Sequence, residues 1–165
     1  MIMDALKDVD RRLGWTLRAF TVSLLVALSV LVTSNIVARY TGWASMSWFD
    51  EVVSTLFAWF VFIGAGALWR EREHFAICLM PPHFEQTLTG RAAALLIALI
   101  GVGFALALLY YGWSYVGRVD ATTPVLGWPQ AYAYACLPIS GALMSAYALR
   151  DLWQVLTRPG PAPAA

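Results

Sequence analysis

The adjacent carboxylates Asp50 and Glu51, the histidines His74 and His83, and the cysteines Cys78 and Cys136 are the side chains whose types could do chemistry. A carboxylate pair could move protons, histidines could hold a metal or a haem, and two thiols could exchange electrons. Their spacing supports none of these uses. The cysteines show no CxxC or CxxxC pattern and read as two unpaired thiols acting as small apolar residues. Both histidines fall in one connecting segment, a poor metal site, and neither lies in an apolar stretch where two helices could share a haem. We expect no catalytic residue, no metal ligand and no cofactor, hence no enzyme.

Asp50 and Glu51 sit in Ser47-Trp48-Phe49-Asp50-Glu51, a hydroxyl three residues before a carboxylate, which is the form of a helix capping box. At a helix N-terminus such acids stabilise the positive end of the dipole. A sharper alternative pairs one of them with Arg39, a short hairpin away in sequence. That pair would hold two helices in register or dock a partner.

The elements that must position these residues are four long apolar stretches, at about 15–37, 48–69, 92–116 and 129–149. Each is near the roughly 20 residues that span a bilayer core. Every Lys, Arg, Asp and Glu lies outside them or at their ends. A charge at mid-membrane costs roughly 2.5–3.5 kcal/mol on insertion scales, so ion-coupled transporters keep one only where it works. An autonomous proton-coupled exporter would need a buried carboxylate, and this chain has none in its spans. The expected fold is an all-α integral membrane protein with four transmembrane helices in a single domain over 1–156. Residues 157–165 have the proline-rich composition of a disordered tail.

Nine of the eleven lysines and arginines fall before the first stretch or at its start, between the second and third, or after the fourth. Only Arg39 and Arg118 fall on the other side. By the positive-inside rule both termini are cytoplasmic. Trp15, Trp69 and Trp153 mark the inner ends, and Trp43, Trp48, Trp113 and Trp128 the outer ends, as two aromatic belts. Ahead of the first stretch, Ile2, Leu6, Val9 and Leu13 recur at helical spacing. That pattern predicts a short amphipathic helix along the inner membrane surface, with a solvated, frayed terminus as the alternative of equal weight. The apolar run after Arg12 is too long for a cleaved signal, so it reads as a retained span. No basic stripe with interleaved aromatics is present, and nucleic acid is not an expected partner.

Inside the spans, Trp59 is far from either interface, and its indole N–H needs an acceptor that another helix must supply. Gly101 with Ala105, Gly103 with Ala107, and Gly141 with Ser145 have the small-xxx-small spacing that lets helices approach closely. Pro129 suits the first turn of the fourth span, whereas Pro138 falls inside it and should kink it.

The ordered set of residues resembles the small membrane subunit, DctQ type, of the tripartite ATP-independent periplasmic (TRAP) transporters. The match is carried by Asn35 with Arg39-Tyr40, Trp48 with Asp50-Glu51, Trp59, Gly64-Ala65, His74 and Pro81-Pro82. It continues through Gly127, Pro129, Tyr134, Pro138 and Gly141. The chain departs from the family pattern at Gln130-Ala131 and at Phe75-Ala76-Ile77-Cys78. The resemblance implies a multi-pass protein of the bacterial inner membrane. Its partners would be the lipid bilayer, a large permease subunit with the substrate and sodium sites, and a periplasmic binding protein that delivers an organic acid. The small subunit would then be a scaffold, with Arg39, Asp50, Glu51, Trp59, His74, Pro129, Tyr134 and Pro138 as candidate structural or partner-contact residues. The alternative reading is a structural or assembly subunit of another membrane complex.

Overall fold

Each apolar stretch forms a helix, because in hydrocarbon only a helix satisfies its own backbone polar groups. The computed structural model describes residues 2–42, 47–71 and 88–157. His74, His83, Cys78, Pro81-Pro82, Trp43 and the tail from 158 lie outside the described residues. The helices are α1 (Ile2–Thr41), α2 (Phe49–Arg70), α3 (Leu88–Val116), the single turn α4 (Ala131–Tyr134) and α5 (Cys136–Thr157). Among the described residues, four helical segments are long and apolar enough to cross a membrane, with α4 and α5 together making the fourth.

Three expectations change at the helix ends. The segment before the first span is not a separate surface helix, since α1 runs unbroken for 40 residues. At 1.5 Å per residue that is about 60 Å, roughly twice the bilayer core. The reason lies in Asp10, which is bonded to α2 and α5 as described below and so aligns the start of α1 with the helix row. At the other end Gly42, at φ 68°, ends α1 in the left-handed conformation that glycine adopts without strain. The capping box at 47–51 does not form either. Trp48 rather than Ser47 is the N-cap of α2, and its indole has no oxygen to accept a backbone N–H, so no side chain caps the helix. α5 continues through Thr157, the first residue assigned to the tail.

The helices form an open row rather than a closed bundle. The backbone of α1 lies along α2, α5 packs on both α2 and α3, and α4 lies against α2 and α3. The tightest approach joins α3 and α5. A Cβ on Gly141 would stand 2.6 Å from the Leu109 backbone nitrogen, and one on Gly112 would stand 2.9 Å from that of Pro138. Only glycine permits this spacing of backbones. Below it, Trp69, Ala105, Met144, Tyr147 and Ala148 form the buried core. The two glycine pairs on α3 therefore differ. Gly101 faces the Trp69 ring and Ala105 is fully buried, whereas Gly103 and Ala107 are exposed.

Candidate functional site

The polar bonds between helices collect at the two ends of the row, apart from one that lies deeper. At the end formed by the start of α2 and the close of α3, Glu51 accepts two backbone N–H bonds from a loop 74 and 75 residues later. Val125 donates to Oε1 at 2.7 Å and Leu126 to Oε2 at 2.9 Å. A carboxylate that receives two amide protons in this way is a strong acceptor, because the charge assists both bonds. The loop is a hairpin. Thr123 N–H donates to the Trp128 carbonyl at 2.8 Å and Gly127 N–H to the Thr123 carbonyl at 3.0 Å. Pro129 pairs with Thr122 in an antiparallel bridge rather than opening a helix, and the helical turn begins two residues later at Ala131.

Arg39 does not pair with Asp50 or Glu51 among the described residues: Arg39 and Asp50 are exposed, and Glu51 faces the hairpin. The sequence placed Arg39 near these acids but held no sign of a stronger claim on Glu51. Pro124 and Gly127 announce a turn, yet nothing local says which acceptor its free N–H groups reach.

The deeper bond belongs to Trp59. Its Nε1–H donates to the Tyr132 carbonyl at 3.0 Å, and its ring meets Phe20 edge-on at 6.4 Å. The expectation that the indole faces another helix holds. The acceptor is at the break between α4 and α5, where the helical ladder is interrupted at Ala135. Pro138 lies in the first turn of α5 and has no N–H to offer Tyr134, so it belongs to the same break. Tyr134 in turn stacks edge-on against Tyr115 of α3 at 4.8 Å.

The opposite end holds a cluster that sequence reasoning missed. Arg70 of α2 donates from Nε and Nη2 to the two oxygens of Asp10 on α1, at 3.1 and 2.8 Å. Tyr147 of α5 donates its hydroxyl to the same Asp10 oxygen at 3.1 Å, so one carboxylate ties three helices. A side chain on Gly14 would occupy the space of the Arg70 guanidinium. Arg150 lies 4.9 Å over the Tyr147 ring, and Arg18 meets both oxygens of Glu71 at 2.8 Å. The available signal was opposite charge at matching ends of adjacent spans, Asp10 against Arg70.

Among the described residues no three His, Cys, Asp or Glu side chains come together. Two open grooves lie among the described residues, one of about 560 Å³ along Ser29, Thr33, Ser34 and Val37, another of about 620 Å³ along Leu106, Tyr110 and Trp113. His74 lies outside the described residues.

Four apolar helices with polar bonds confined mostly to their ends define a multi-pass helical membrane protein whose polar side chains hold structure. Comparison with known proteins gives the rest. Residues 28–158 match the family described as tripartite ATP-independent periplasmic transporters, DctQ component, and the chain belongs to that family. A TRAP transporter small permease protein of Haemophilus influenzae is 25% identical over 140 residues, covering 82% of this chain and 84% of that protein. The chain is thus a transporter subunit of the bacterial inner membrane and not an enzyme.

Proposed function

We propose that this chain is the scaffold subunit of a TRAP transporter, supporting a large permease subunit during sodium-coupled uptake of a carboxylate from a periplasmic binding protein. One observation carries the reading: the open row of helices has no charged side chain at mid-span and leaves most of its lateral surface uncovered. An ion-coupled carrier needs charged or coordinating groups within the membrane. A scaffold needs packing surfaces. Long apolar flanks on α1 and α3, with Val26, Val30, Leu96 and Ile100 exposed, supply them. The excess of basic residues on one side supports an orientation with both termini in the cytoplasm, so the Glu51 end faces outward.

The test is a pull-down of the tagged chain from native membranes in mild detergent, with co-purifying proteins identified by mass spectrometry. A large polytopic permease in near-equal amount is the expected result. Recovery of the chain alone, stable and monodisperse, would overturn the reading, and an unrelated membrane complex would support the assembly-subunit alternative.

A further inference from the structure

α3 is an edge helix whose packing against α5 and α4 leaves Leu106, Tyr110 and Trp113 exposed. Along this uncovered side runs the groove of about 620 Å³, lined by Leu106, Leu109, Tyr110, Trp113 and Ser114. Spacings of three and four residues put these side chains on one helix face. From Leu106 to Ser114 the helix rises about 12 Å, close to the roughly 15 Å of hydrocarbon in one leaflet.

The groove ends at a cation. Arg118 follows the end of α3 and donates from Nη2 to the Ser114 hydroxyl. Ser114 lines the groove, so this bond sets the guanidinium at its mouth. Among the described residues Arg118 meets no carboxylate, and the exposed Asp120 nearby in sequence forms no pair with it. A guanidinium carries five N–H donors in a fixed fork, and those that Ser114 does not use suit a phosphate. The walls are aromatic and braced. Tyr110 meets the Tyr111 ring edge-on at 5.3 Å, and rings of this kind favour the headgroup level of a bilayer.

These parts match one phospholipid, with an apolar channel for a chain, aromatic rings at the level of the glycerol, and an unpaired guanidinium for the phosphate. A helix from another protein fits less well, since an apolar span brings no anion to Arg118. The groove on α1 lacks the match, because Ser29, Thr33, Ser34 and Thr41 put hydroxyls along its length.

We propose that the α3 groove is a phospholipid-binding site. An acyl chain lies along Leu106, Leu109 and Trp113, Arg118 holds the phosphate, and Ser114 is the positioning residue for Arg118. The lipid belongs to the leaflet at the Glu51 end, the outer one in the orientation given above.

The experiment extracts the full chain in mild detergent, adds phosphatidylethanolamine or phosphatidylglycerol, and counts retained lipid by native mass spectrometry. The wild-type chain is expected to retain one phospholipid that Arg118→Ala holds at least about tenfold more weakly, the size of a lost charge-assisted bond. Arg118→Lys should lose less, because lysine keeps the charge without the fork. Leu106→Trp should weaken retention by filling the groove while the arginine stays in place. Arg39→Ala, which removes the exposed arginine at the end of α1, should change nothing. A photo-crosslinking residue in place of Leu106 should couple to lipid in native membranes. No retention by the wild-type chain, or equal retention by Arg118→Ala, overturns the proposal. So does an equal loss in Arg39→Ala, which would mean general attraction to basic charge, or a cross-link to protein, which would seat a partner helix in the groove. None of these readouts depends on whether a permease co-purifies, so failure here is separate from failure of the scaffold reading.

Discussion

Glu51, Trp59 and Asp10 each satisfy a polar group that a membrane protein cannot leave open, and each does so with a residue distant in sequence. Trp59→Phe keeps the ring and removes the donor. It should lower stability by about 0.5–1.5 kcal/mol, read from thermal unfolding in detergent. Equal stability of the two proteins would show that the Tyr132 carbonyl bond contributes nothing. Ser145 is the reverse case. Its hydroxyl is buried and has no partner among the described residues, so Ser145→Ala should leave stability unchanged or raise it by up to about 1 kcal/mol. A loss beyond that would mean the hydroxyl is satisfied in the membrane by a group from outside this chain. Charge reversal at Arg39 should leave the isolated chain folded, since Arg39 bonds neither Asp50 nor Glu51. A large drop in its melting temperature would contradict the observed pairing.

Between elements, the close contact of α3 and α5 depends on glycine. Gly141→Leu would drive a side chain into the Leu109 backbone, which overpacking data put at about 1–3 kcal/mol. The helices must separate, and a cysteine pair placed across them should cross-link more slowly; unchanged cross-linking would count against the interface. Pro138→Ala restores an N–H in the first turn of α5. It should let α4 and α5 merge into one helix and withdraw the Tyr132 carbonyl from Trp59. An unaltered Trp59 indole N–H resonance in the variant would show that Pro138 does not maintain the break. The four apolar helices were legible because periodicity and length are local. The unbroken α1 was not, because Asp10 bonds Arg70, 60 residues away, and Tyr147, 137 residues away.

As a whole molecule, the row has an edge helix at each side, α1 and α3, and α5 as the most enclosed span. A chain built this way should move no solute by itself. Reconstituted alone in liposomes with a sodium gradient, it should show no uptake of any carboxylate. Uptake above protein-free vesicles would remove the scaffold reading. Together with the large permease, the same vesicles should accumulate substrate only when the binding protein is supplied.

Composition and order by themselves determined the membrane class, the four spans, the family and the need of Trp59 for an acceptor. These follow from hydrophobic length, charge placement and the valence of one donor, all of which are written residue by residue. Tertiary structure alone decided that Glu51 holds the hairpin and not Arg39, that Asp10 joins three helices, and which glycines face inward. A carboxylate accepts from whichever donors the fold brings within about 3 Å, and that proximity is set by how the helices pack rather than by their spacing along the chain.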